Sequence, residues 1–206
     1  MNGYKPRRPA QLKPEQMELI QGDADTAFNS ELAHTSAQAI VPLPTAHAID
    51  QETIDRVREL IETEGVDVLA EAWVASPESS LPGILWRGYL LREWIRRFPQ
   101  EVAKRYAASR EYFAGVEPEK LDLVVPPEKL LEKWNEVFAG DYRGEFALVL
   151  RDSARFSDFL GSVLPVWITD ESHPLATSVT LRDTALLRVA QEFKEAGELL
   201  QSGKLS

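Results

Sequence analysis

Prolines bracket one run of this chain that is too apolar to lie alone on a surface and too charged to be wholly buried. The run is LPGILWRGYLLREWIRRFPQEVAKRY, residues 81–106. Pro82 fits the first turn of a helix, where its missing N–H costs nothing, and Pro99 ends that helix. At about 100° per residue, Ile84, Gly88, Leu91, Trp94, Ile95 and Phe98 gather on one face. Arg92, Glu93, Arg96 and Arg97 fall on the opposite face. Leu85, Trp86, Tyr89 and Leu90 spread into the charged sector, so more than one neighbour must cover the helix. A chain built around such a segment is expected to be a bundle with this helix at its centre.

The same spacing of three and four recurs elsewhere. Asp50 is a natural N-cap for DQETIDRVRELIETEG, in which Ile54, Val57, Leu60 and Ile61 share a face and Gly65 sits where a terminating glycine belongs. VDVLAEAWVAS follows directly and groups Val66, Leu69, Ala70 and Trp73. With only a glycine between them, the two are expected to form a tight helix hairpin. Pro126 and Pro127 open PPEKLLEKWNEVFAG, whose stripe is Leu130, Leu131, Trp134, Val137 and Phe138. GEFALVLRDSARFSDFLGSVL also reads as helix, although FALVL alone is compatible with a buried strand. A short helix capped at Asn29 or Ser30 runs to Pro42. A final one runs from about Thr180 to Gln201, after a loop, PVWITDESHPLATSV.

No strand pattern alternates with these helices and no fixed period repeats. The expected fold is all-α, an irregular helical bundle of about seven or eight helices forming one domain over residues 28–206. Residues 1–27 begin with Pro6, Pro9 and Pro14 beside Lys5, Arg7, Arg8 and Lys13, which reads as a flexible basic and polar tail.

Composition narrows the chemistry. The 206 residues contain no cysteine, which excludes disulfides, thiolate nucleophiles and cysteine-ligated metals and is in keeping with a reducing cytoplasm. The apolar stretches fall short of the roughly 20 residues that span a bilayer, and the N-terminus lacks the apolar run of a secretory signal. A cytoplasmic location with no membrane partner is therefore expected. Formal net charge is -10, but residues 21–80 carry -10 and residues 81–113 carry +4. A nucleic acid would be repelled by the whole and attracted by the basic segment.

That segment supplies the candidate sites. Arg92, Arg96 and Arg97, with Lys104, Arg105 and Arg110 beyond Pro99, converge into a nucleic-acid or partner surface if their helices align. The alternative is a basic face docked on the acidic 50–71 segment. Arg87 lies inside the apolar stripe, where a guanidinium is costly unless paired. A carboxylate from another helix is expected beside it, the acids of 50–71 being the nearest supply. Trp86, Arg87 and Trp94 together mark either a buried ion pair or a ligand pocket.

Other chemistry is sparse. There is no glycine-rich phosphate loop, no nucleophile elbow and no H-E-x-x-H, so no catalytic residue is assigned and no cofactor is expected. Glu31 and His34 form one E-x-x-H, the spacing used twice in di-iron bundles; standing singly, it is a weak metal candidate. Glu128 and Glu132 alternate with Lys129 and Lys133 as solvated ion pairs.

The segment Glu64, Gly65, Asp67, Leu69, Ala70, Glu71, Trp73 and the run SLPGILWRGYLLREW resemble a family of actinobacterial helical proteins of unknown function. The resemblance covers roughly residues 28–150. It implies an all-α protein and brings no activity, cofactor or catalytic residue. The expected function is non-enzymatic binding of a protein partner or of a second copy. The alternatives are nucleic-acid binding through 87–110 and a small-ligand or metal pocket near Trp86 and Arg87.

Overall fold

A computed structural model describes residues 23–43, 49–140, 142–163 and 176–206. The fold is all-α. Its helices are α1 (Asp23–Ile40), α2 (Gln51–Glu64), α3 (Asp67–Trp73), α4 (Leu81–Arg97), α5 (Pro99–Val116), α6 (Pro127–Val137), α7 (Phe146–Gly161) and α8 (Ala176–Gln201). A short 3₁₀ turn, Pro118–Asp122, joins α5 to α6. Helix α4 packs against α1, α3, α5, α6 and α8, and the broadest helix pairing is α7 with α8.

The helix ends follow from the residues at them. The Asp50 carboxylate accepts from the Thr53 backbone N–H at 2.8 Å and caps α2. Gly65, at φ +88°, ends the same helix in a conformation that side-chain-bearing residues rarely adopt. Ser80 Oγ accepts from Gly83 N and donates to Pro77 O, fixing the start of α4. Gly83 is required there, since a Cβ would lie 1.9 Å from the Pro77 carbonyl oxygen.

Two indoles pin the core by the same device. Trp134 is fully buried, and its Nε1–H donates at 2.9 Å to Ser153 Oγ, which donates in turn to the Val149 carbonyl. Trp73 is also fully buried, and its Nε1–H donates at 3.0 Å to Ser36 Oγ, which donates to the Ala33 carbonyl. Each serine lets a large ring enter the core with its one polar atom satisfied. Trp134 also sets the α4–α6 crossing, because a Cβ on Gly88 would lie 2.1 Å from its ring. At the far end of the chain Leu205 is buried, and the Ser206 carbonyl accepts from Leu81 N at 2.7 Å. The residues after α8 thus close on the start of α4.

Two helix starts differ from expectation, and the helical reading of FALVL holds. Helix α1 runs unbroken through Asn29 and Ser30 from Asp23, so it crosses the limit set for the tail at residue 27. No proline or glycine lies between Asp23 and Ile40 to stop it. Helix α8 starts at Ala176 rather than near Thr180, since its apolar stripe, which periodicity detects, begins only at Leu186. The FALVL run is helical, with Phe146, Val149 and Leu150 buried. The basic tail residues 5–13 and residues 165–175 of the expected loop lie outside the described residues, and its last residues, 176–179, are helical.

Candidate functional site

Arg87 projects from α4 toward α8. Its Nε donates to Glu192 at 2.6 Å, and its Nη2 lies 3.4 Å from Glu78. Arg188, one turn before Glu192, donates to Glu192 at 2.8 Å and also pairs with Glu78. Two guanidiniums and two carboxylates therefore form a closed, charge-balanced network across α4, α8 and the α3–α4 connection. The partner does come from another helix, but from α8 and not from the acidic 50–71 segment. That segment lies on α2 and α3, where Asp67 is occupied by the Tyr89 hydroxyl, which donates to it at 2.8 Å. Burial, then this bond to Asp67, pushes the Tyr89 phenol up to about 12, so at neutral pH it serves as a donor.

The basic residues do not form one array. Arg92, Arg96 and Arg97 all converge on a single carboxylate, Glu93, at 2.8, 2.6 and 2.8 Å. Arg92 also donates to the Asn135 side-chain oxygen at 2.7 Å. Glu93 is only 6% exposed although it lies on the charged face, because the arginines lie over it. The hydrogen bond from Arg96 is the first cause holding its carboxyl below the usual glutamate value; the bond from Arg97 and the charges of Arg96 and Arg92 add to it, and desolvation opposes. Arg105 is buried, and its guanidinium donates twice to the Leu160 carbonyl, at 3.1 and 2.9 Å, in the last turn of α7. There it opposes the negative end of the helix dipole. Arg110 lies over the Tyr106 ring at 5.9 Å, and Lys104 is exposed.

Between α4 and α8 runs a groove of about 260 Å³, lined chiefly by Leu90, Leu91, Trp94, Phe98, Leu186 and Val189, with Arg87 and Glu101 its charged members. Leu90 and Phe98 are 44% and 52% exposed. A second hollow, lined by Arg97, Phe98, Pro99, Gln100, Glu101 and Lys104, shares Phe98 and Glu101 with the first. Trp94 lines the groove, whereas Trp86 does not; it stacks on Tyr89 with ring centroids 5.6 Å apart.

The His34 ring is hydrogen-bonded through Nδ1 to the Ser30 carbonyl, one turn back on α1. Among the described residues no three His, Asp or Glu side chains gather into a metal-binding group, and Glu31 is exposed. Lys129 pairs with Glu132 at the surface as expected, but Lys133 reaches across to buried Asp152 at 2.7 Å.

Sequence reasoning missed Glu192, Glu78 and the α8 wall of the groove. A signal for Glu192 was present: it stands three residues after Val189 and four before Ala196, inside the apolar stripe of α8, as Arg87 stands inside that of α4. Two opposite charges, each misplaced on its own helix, identify a pair.

These features define an all-α helical bundle with an apolar groove between two of its helices and a basic corner beside it. No family model, no curated protein and no solved structure matches the chain.

Proposed function

We propose that the chain acts by binding another protein, which seats an amphipathic helix in the groove between α4 and α8. Exposure of the apolar side chains Leu90 and Phe98 in a mainly apolar groove carries this reading. Solvating such groups is unfavourable, and their contact with a partner would recover that cost. The volume, about 260 Å³, is below the roughly 300–1,000 Å³ of pockets for drug-sized ligands. It suits a few side chains of a third helix laid between two others. We also propose membership of the actinobacterial helical family that residues 28–150 resemble, which adds no activity to this reading.

Selection of helical peptides on the full chain, with counter-screening on Leu90→Lys, tests it. Selected peptides should lose more than tenfold in affinity on the variant. Peptides indifferent to Leu90→Lys would overturn the reading. Concentration-dependent dimerisation abolished by Leu90→Lys would reassign the groove to a second copy of the chain.

Nucleic-acid binding has less to support it, since Arg105 is buried and Arg92, Arg96 and Arg97 share one carboxylate. A cytoplasmic location remains part of the proposal. No helix among the described residues is long and apolar enough to cross a membrane.

A further inference from the structure

We infer that the helix received by the α4–α8 groove is acidic at one end, with its carboxylates meeting the corner where α4 gives way to α5. The inference rests on the groove being a docking site and adds the chemistry of its occupant.

The groove adjoins the second hollow at Phe98 and Glu101, which line both, and the lining changes there from mainly apolar to mainly polar and charged. Arg97 and Lys104 line this end. Glu93 supplies one negative charge to Arg92, Arg96 and Arg97, so the cluster keeps two cations in excess. The side chains of Arg96 and Arg97 are 51% and 58% exposed, and Lys104 has no ion pair among the described residues. Glu101, the one carboxylate in the lining, is itself engaged. Helix α5 also begins here with no side chain capping its first turn, and its positive end is only partly offset by Glu101 in that turn.

The contrast with the rest of the chain matters. The molecule carries -10 overall, yet residues 81–113 carry +4 and supply most of this corner. A second copy would bring its own acidic surface to an acidic body. A helix with a local acidic end gains at the corner and is less repelled elsewhere. Apolar anchors along Leu90, Trp94 and Val189 would hold it, and the carboxylates at Arg97 and Lys104 would set its direction.

Two labelled synthetic helices with one apolar face test this, one ending in three glutamates and the other in three lysines. Fluorescence anisotropy on the full chain at low salt should show the glutamate peptide binding roughly tenfold tighter. Lys104→Glu should erase or reverse that preference, and higher salt should shrink it. Leu90→Lys should weaken both peptides. Equal binding of the two, or tighter binding of the lysine peptide, with both still weakened by Leu90→Lys, would overturn the acidic assignment and leave the groove standing. Binding of neither peptide, or binding indifferent to Leu90→Lys, would remove the groove reading and this inference with it. A labelled single-stranded oligonucleotide bound by wild type and Leu90→Lys alike, but lost in Lys104→Glu, would give the corner to nucleic acid and also overturn the inference. Circular dichroism melts of both surface variants should match wild type.

Discussion

Glu192 and Glu93 are equally buried, at 6% exposure, and each is ringed by arginines, yet they do different things for the molecule. Glu192 is bound by Arg87 from a helix 105 positions earlier in the chain, and by Arg188 of its own helix. Its network is charge-balanced and joins α4 to α8. Among the described residues Glu93 is bound by Arg92, Arg96 and Arg97, all of its own helix and within about one turn of it. Its cluster reaches another helix through a neutral contact, the hydrogen bond from Arg92 to Asn135 of α6, and is left positively charged. The first carboxylate is buried between helices, and the second is roofed over by side chains. A buried charge paired across helices restrains the fold, whereas one paired locally shapes the surface. Low exposure alone does not distinguish them.

The sharpest way to break this comparison is to remove Glu192. Glu192→Leu leaves Arg87 with only Glu78 at 3.4 Å, in a position where its side chain is 16% exposed. Stranding a charge in a buried pair costs about 3–5 kcal/mol. The lower end is expected here, because Glu78 remains. Urea unfolding should show it as a lower midpoint with an unchanged slope. Arg87→Met should cost about 2 kcal/mol, since Arg188 still holds Glu192. The double variant should be less damaged than the sum of the two, with a coupling of about 1–3 kcal/mol. Strict additivity would mean that the pair does not bind α4 to α8.

The two carboxylates also differ in how far the sequence revealed them. Helix periods, the Asp50 cap, the Gly65 stop and the centrality of α4 were all legible, because each depends on residues within a few positions of one another. Arg87 announced a partner by standing in an apolar stripe. The partner's identity depended on how α8 lies across α4, which the spacing on a single helix does not encode. The wheel places Glu93 on the charged face, and a helical wheel reports direction and not cover. Its three arginines lie within four residues of it, yet whether they fold over it or extend into solvent is settled by rotamers. The groove was half legible: Trp94 was singled out with Trp86, but the α8 wall of Leu186 and Val189 required the packing of two helices distant in sequence.

A second, smaller effect sharpens the contrast. Glu93→Gln keeps the shape and removes the charge shared by three arginines. The cost should be about 1–2 kcal/mol, less than for Glu192→Leu, because Arg96 and Arg97 are free to turn into water. Its pH dependence follows from the depressed carboxyl. A group whose acidity is raised by folding stabilises the folded state above its unfolded value and ceases to do so as pH falls through its folded one. The gap between wild type and Glu93→Gln should therefore be full at neutral pH, begin to shrink below the ordinary glutamate value of 4.5, and vanish in stronger acid. Urea midpoints at a series of pH values check this. A gap that persists unchanged well below 4.5 would show that the carboxylate charge is not what Glu93 contributes.

The smallest expected effect is the most discriminating about locality. Arg96 gives Glu93 its shortest bond, 2.6 Å, which taken alone would rank it beside the Arg87–Glu192 contact at the same length. Yet Arg96 is half exposed, and Glu93 keeps Arg92 and Arg97 when it is lost. Arg96→Ala should cost only about 0.2–1 kcal/mol, as other exposed pairs do. A loss as large as that of Arg87→Met would mean that bond length, and not the span between helices, sets the worth of these pairs. A loss of a few tenths would mean that the α4 arginines are largely spare to the fold. They would then be available to a partner's carboxylates at small cost in stability, which is what the basic corner beside the groove requires.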